Sequence, residues 1–224
     1  MRKIIGLCLL LQALNLNAQE GGEQKLGSWY KYVGNNLLSE KVSLLTEVQL
    51  RYYEQGKTFN QSVLRSGIDY KFSDNTHVFV GYTHRIIDDS FEEIPGESNI
   101  REHRISEQFI LKNKIWEVLL QHRYGLEQRF FDFGDRTEVQ HRGRYQLQLT
   151  FPLTDVFFVN LSEEVLLNLQ GNIFDQNRLY AGLGIHITHN LSLETGFLKT
   201  HFSNYNHERL VIGVTFSPNL IGVF

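Results

Sequence analysis

Between Glu138 and Phe151 polar and apolar residues alternate with little interruption. Val139, His141, Gly143, Tyr145, Leu147, Leu149 and Phe151 share one parity. Glu138, Gln140, Arg142, Arg144, Gln146, Gln148 and Thr150 share the other. Successive side chains of a strand point to opposite faces, so this pattern predicts a strand with one apolar and one polar face. It is far longer than the usual strand of about 5–6 residues in a soluble protein. The pattern recurs from Trp116 to Phe130, Ser62 to Phe72 and Thr76 to Ile87. Further strands are predicted over Val42–Tyr53, Ile100–Leu111, Val156–Leu169, Arg178–Ile187, Leu191–Leu198 and Glu208–Phe216, with a shorter one over Gly27–Gly34. No apolar stripe of helical period competes with them.

Strands of this length suit a bilayer, which a tilted strand crosses in about 9–11 residues. No later segment reaches 18 apolar residues, so a spanning helix is not available. The other structure that satisfies its backbone within lipid is a closed barrel. The polar parity carries Arg, Gln, Glu and Gly, while Trp and Tyr sit on the apolar parity, often near strand ends. That is the arrangement of a barrel with lipid outside and a polar lumen; a soluble barrel turns its apolar face inward and is often Lys-rich outside. The expected fold is an all-β, antiparallel transmembrane β-barrel of about 10–12 strands, covering residues 27–217, with a C-terminal tail over 218–224.

Connections are predicted to alternate in length. Ser73–Asn75, Lys112–Lys114, Pro152–Asp155 and Thr188–Asn190 read as tight turns. Glu54–Gln61, Asp88–Asn99, Asp132–Thr137, Gly171–Gln176 and Ser203–Asn206 read as longer loops. Asp88, Asp89, Glu92, Glu93 and Glu97 make the second of these acidic. Short turns at one end and longer loops at the other suit an outer-membrane barrel. Ten strands from Val42 to Phe216 start and end on the short-turn side. An eleventh over Gly27–Gly34 would start the chain at the opposite end, so that segment reads as a partial strand or plug, or the count becomes twelve.

Upstream, Arg2 and Lys3 precede an apolar run from Ile4 to Leu11, and Ala18 precedes polar Gln19–Gly22. Residues 1–18 read as a secretory signal, cut after Ala18 although Leu16 is not small, and 19–26 as a flexible lead-in. Cys8, the chain's one cysteine, leaves with the signal. A disulfide-stapled fold and a cysteine-based zinc site are thereby excluded. The net charge of the whole chain is −3, and losing Arg2 and Lys3 makes it −5, which argues against a nucleic-acid partner.

Several features in this order resemble a Bacteroidota family of outer-membrane proteins catalogued as domain of unknown function 2490. They are Gly27-Ser28-Trp29, Glu102-His103-Arg104, and His122-Arg123-Tyr124 through Leu126-Glu127 to Arg129-Phe130. Arg142, Arg144, Pro152-Leu153 and Asn177-Arg178-Leu179-Tyr180 continue them. The likeness covers about residues 27–216. It implies a barrel in the bacterial outer membrane and implies no activity.

With polar parity taken as inward, the lumen receives Arg51, Arg65, Lys71, Arg85, Arg104, Arg123, Arg129, Arg142, Arg144, Arg178 and Arg209. Against these stand Glu47, Asp69, Glu102, Glu127, Glu138, Glu164 and Glu194. The candidate functional set is Glu102, Arg104, Gln121, Arg123, Glu127, Arg129, Arg142, Arg144 and Arg178. In a small barrel filled by side chains, these charges pair into a network, the Arg fork gripping carboxylates bidentately. In a barrel with a gap, unpaired arginines favour anions such as acidic sugars or phosphates. Glu107 and Glu163 fall on the lipid-facing parity. A β-bulge or an interfacial depth would relieve them.

Nothing points to catalysis. The nine histidines are scattered singly. His186 and His189 straddle a turn without a third ligand. No Gly-x-Ser-x-Gly elbow occurs. Ser90 or Ser203 with His201 or His207 is the sole rim combination for a lipid-modifying reaction. The reading is therefore a non-enzymatic barrel without cofactor or metal. Its partners are outer-membrane lipid, the barrel-assembly machinery and small anionic solutes. The alternatives are a closed structural or adhesion barrel acting through its outer loops and, behind it, a rim-located lipid-modifying enzyme.

Overall fold

The computed structural model describes residues 25–91 and 99–223. The predicted signal, most of the lead-in and the acids Glu92, Glu93 and Glu97 lie outside the described residues.

The chain is all β. Its strands are β1 (Gly27–Leu37), β2 (Val42–Glu54), β3 (Lys57–Ser73), β4 (Thr76–Ile87), β5 (Ile100–Ile115), β6 (Val118–Asp132), β7 (Thr137–Pro152), β8 (Phe157–Asn168), β9 (Phe174–Thr188), β10 (Leu191–His201) and β11 (Asn206–Phe216). They close into one barrel in chain order. Every sequential pair is antiparallel, and β1 closes on β11 in parallel from Gly27↔Arg209 to Gly34↔Phe216. The eleventh strand is thus a full member of the wall, neither a plug nor half of a missing hairpin. The odd count is accommodated by one parallel seam. The C-terminal segment extends that seam, since Leu37 N donates to Pro218 O at 3.0 Å and Leu220 N to Leu37 O at 2.9 Å.

Hydrogen-bonded partners traced from Trp29 through Arg51, Gln61 and Ile87 lead to Ile100 of β5. Traced the other way, through Val211, Gly196, Gly182, Asn160, Thr150 and Leu119, they lead to Lys114. The offset along β5 is the stagger that closes the sheet, and closure with such a stagger tilts strands by about 35–45°.

Several connections are shorter than composition predicts, because hairpin pairing continues through polar residues. The expected loop Glu54–Gln61 is a two-residue turn. Gly56 takes φ 70° there, and Thr58 follows at φ 52°. The Lys112–Lys114 turn is absent: β5 runs on to Ile115, and the chain reverses at Trp116-Glu117 with Trp116 at φ 54°. β9 begins at Phe174, inside the expected loop Gly171–Gln176. The long connection that remains is the one between β4 and β5.

Burial is inverted relative to a soluble domain. Glu102 and Glu127 inside are 0 % and 2 % exposed, whereas Leu64 and Phe72 outside are 58 % and 71 % exposed. The outer wall is therefore an apolar band far larger than a water-facing surface carries. Glu107 is exposed on that wall between Val80 and Leu126, in an unbroken β4–β5–β6 register. No bulge turns it inward. Glu163 also stays outside, accepting from Asn177 Nδ2 at 3.1 Å. The register shift of β8 comes later, at Leu166/Leu167.

Candidate functional site

Alternation along each tilted strand sends one residue in two into the barrel. The resulting cavity of 790 Å³ runs from Ser43, Lys112 and Ser217 near the short-turn end to Asn60, Phe202 and His207 near the other. Inward aromatics narrow it where an inward glycine leaves room. Phe79, 1 % exposed, lies over Gly67 and Gly81, each of which would place a Cβ at 2.5 Å or less from its ring.

Eight of the nine residues singled out from sequence line the cavity: Arg104, Gln121, Arg123, Glu127, Arg129, Arg142, Arg144 and Arg178. The ninth, Glu102, is fully buried and serves three guanidiniums. Its partners are Arg85, Arg104 Nη2 at 2.6 Å and Arg129 Nε at 2.8 Å. Arg104 passes the chain of charges to Glu127 through Nη1 at 3.1 Å. Glu127 also accepts from Arg142 Nη2 at 2.6 Å and from Arg144. Arg142 reaches Asp175 at 2.7 Å, and Arg144 reaches Glu164. Arg178 closes the series on Glu164 at 3.2 Å. Register explains these contacts: Arg85 stands opposite Glu102, and Glu127 opposite Arg142. Buried charges are tolerated when paired and fully hydrogen-bonded, and the guanidinium fork supplies several donors in a fixed plane.

Two members stand apart. Arg123 donates to the amide oxygen of Gln146; among the described residues it forms no ion pair and its Nε has no hydrogen-bond partner. Gln121 sits in register between Lys112 and Gln148.

Some expected lumen charges lie at the rims instead. Lys71 pairs with Asp74 at 2.7 Å across the tight turn, and Glu138 pairs with Arg136 at 3.0 Å beside the β6–β7 loop. Asp74, outside the membrane-spanning strands, has its carboxyl held below the ordinary range by the Lys71 ammonium. Others went unnoticed in the sequence. Trp29, Lys31, Lys112, Asp175 and Tyr180 all line the cavity. For Lys31 the signal was present, since Tyr30 and Tyr32 flank it on the opposite parity.

The two rim histidines face opposite sides of the wall. His207 lines the cavity and packs against Phe202 and Tyr205, with ring centroids at 5.3 and 5.1 Å. His201 pairs with Asn206, one position along from the Thr200–His207 pair, and so points to the other side of the wall. Among the described residues no group of three or more His, Cys, Asp or Glu side chains is placed to hold a metal ion.

A closed all-β barrel with an apolar exterior and a charged interior defines the outer-membrane class of barrel architectures. Within it, the chain belongs to the family described as "Protein of unknown function (DUF2490)", whose profile matches residues 26–211. No curated protein matches it. Two solved structures share its fold. One is the translocator domain of the autotransporter NalP from Neisseria meningitidis, with TM-score 0.56 and 11% identity, covering 80% of this chain and 75% of that one. The other is the NanC porin, with TM-score 0.53 and 10% identity, covering 85% of this chain and 98% of that one.

Proposed function

We propose that this protein is an outer-membrane barrel whose lumen binds or passes small anionic solutes. The observation that carries the reading is the charge of the cavity wall. Lys31, Arg51, Arg65, Arg85, Arg104, Lys112, Arg123, Arg129, Arg142, Arg144, Arg178 and Arg209 line it, against Glu47, Asp69, Glu127, Glu164, Asp175 and Glu194. In a chain of net −3, a lining in which bases outnumber acids means that bases are concentrated in the lumen relative to the rest of the chain. Low-dielectric walls focus such a field, raising the local concentration of anions and repelling cations. Membrane lipid covers the apolar wall, the leader over residues 1–18 directs export, and the barrel-assembly machinery inserts the strands. No chemical step is assigned to the protein.

The test is conductance of the refolded mature chain in a planar bilayer under a salt gradient. The expected result is reproducible steps with an anion-directed reversal potential. Cation-selective or non-selective steps would overturn the reading.

A second reading is favoured by one observation, the ion-pair network through Glu102 and Glu127, which occupies one side of the lumen with its own side chains. In that reading the barrel is closed and works through its outer loops. A protein that inserts, shown by heat-modifiable gel migration, yet stays electrically silent is its signature.

A further inference from the structure

Beside the ion-pair network, Arg51 of β2 lies in the cavity without an acid of its own; Glu47 on the same strand pairs with Arg65 and accepts from Gln49 Nε2. Arg51 is 8 % exposed and, among the described residues, forms no ion pair. Its Nε and Nη2 donate to Gln49 Oε1 at 2.9 and 2.6 Å, and its Nη1 to Gln61 Oε1 at 2.8 Å. The same Gln61 oxygen accepts from Arg85 Nη2 at 2.6 Å. An amide oxygen satisfies these N–H groups but leaves the charge uncompensated. Glutamate has the length of glutamine, and at position 49 or 61 it would neutralise Arg51. The chain uses glutamate for that purpose at 102, 127 and 164, and at these two positions it does not.

The geometry around Arg51 adds two observations. Its guanidinium carbon lies 3.8 Å from the ring centroid of Trp29, and that of Arg178, from β9, lies 5.6 Å from the same ring. Two cations thus converge on one indole. Its Nε1–H is buried and, among the described residues, has no hydrogen-bond partner. Arg178 already holds Glu164 at 3.2 Å, whereas Arg51 has no carboxylate of its own; a buried charge without a counter-ion and a buried donor without an acceptor each cost free energy. One ligand relieves both. The rigid guanidinium fork matches the two oxygens of a carboxylate or phosphate better than it matches a spherical halide.

We infer that Trp29, Arg51, Arg85 and Arg178 form an oxyanion-binding site inside the lumen, which takes a carboxylate or phosphate group and completes the Trp29 Nε1–H with an acceptor. The site rests on the anion-preferring reading and adds a saturable position to it.

The chain has two tryptophans, and the other, Trp116, is 89 % exposed at a turn tip. In a Trp116→Phe background, Trp29 is the sole tryptophan reporter. The refolded protein is titrated with sodium phosphate and, separately, sodium acetate, with sodium chloride holding ionic strength constant. The expected result is a saturable change in Trp29 emission, weakened at least tenfold by Arg51→Gln or Arg178→Gln. A response to phosphate alone assigns a phosphorylated ligand, and a response to acetate assigns a carboxylated one. No response beyond the chloride control, or an unchanged titration in Arg51→Gln, overturns the site. Heat-modifiable migration checks that each variant folds. If Arg51→Gln does not fold, Gln61→Glu neutralises Arg51 in place and must abolish the response; a retained response overturns the site equally. Anion-selective conductance without a saturable titration would remove the site and leave the channel standing. A saturable titration in a cation-selective barrel would do the reverse.

Discussion

The two sides of the lumen are built from the same residue types and behave differently. On the side formed by β4 to β9, Glu102, Glu127, Glu164 and Asp175 engage the guanidiniums of Arg85, Arg104, Arg129, Arg142, Arg144 and Arg178. On the side formed by β1 to β3, Arg51 meets only glutamine oxygens, and Arg65 has a single acid, Glu47, at 3.3 Å. A count of arginines would rank the first side as the more positive. The partners reverse that order, because the first side spends its charge on holding strands together and the second leaves it facing the cavity.

The contrast can be broken most forcefully at Glu102. Replacing it with Gln leaves three buried guanidiniums short of one carboxylate, and losing one partner of a buried pair costs about 3–5 kcal/mol. The midpoint of thermal unfolding on heat-modifiable gels should fall accordingly, and an unchanged midpoint would show that the network is dispensable. Arg142→Ala with Arg144→Ala strips Glu127 of two partners but leaves it Arg104. A loss of about 2–3 kcal/mol is expected, accompanied by weaker anion preference in the bilayer. If neither stability nor selectivity moves, these side chains do not face inward. Arg51→Gln should do the opposite of Glu102→Gln. Its partners are neutral, so stability should change by no more than about 1 kcal/mol, while the anion-to-cation permeability ratio drops. A large destabilisation with unchanged selectivity would erase the distinction between the two sides. The smallest effect is expected from Lys114→Ala, whose pair with Glu117 at 3.0 Å is largely exposed. Stability should stay within about 0.5 kcal/mol and selectivity should not respond, which provides the baseline for the other three.

Strand alternation made much of this legible without coordinates. The period of two assigns Arg104, Glu127, Arg142 and Arg144 to one face, and eight of the nine residues chosen on that basis line the cavity. Which acid meets which base was not legible, because pairing depends on register between strands, and alternation along a strand does not contain it. Asp175 was lost to a predicted loop, since Gly171-Asn172 announces a turn while hairpin hydrogen bonds carry β9 past it. Trp29 was missed for a different reason. An indole on the polar parity looks like a break in the pattern until Arg51 stands opposite it in the register. The approach of Arg178 to the same ring spans the lumen between non-neighbouring strands. It depends on barrel diameter, which no local pattern encodes. Of the two reliefs open to Glu107 and Glu163, a bulge or an interfacial depth, the bulge is excluded because both lie in uninterrupted stretches of their ladders.

The parallel junction of β1 with β11 makes one strand supernumerary to an up-and-down ring. Remove β11, and the strands left to meet, β1 and β10, run in opposite directions. Remove β1, and the same holds for β2 and β11. Either deletion yields a ten-membered cylinder in which every junction is antiparallel. The full-length chain cannot reach that arrangement while all its strands stay in the wall. With all of them in the wall, Gly27 and Phe216 lie at opposite mouths of the cylinder, so labels placed at Leu26 and Ser217 report on opposite rims.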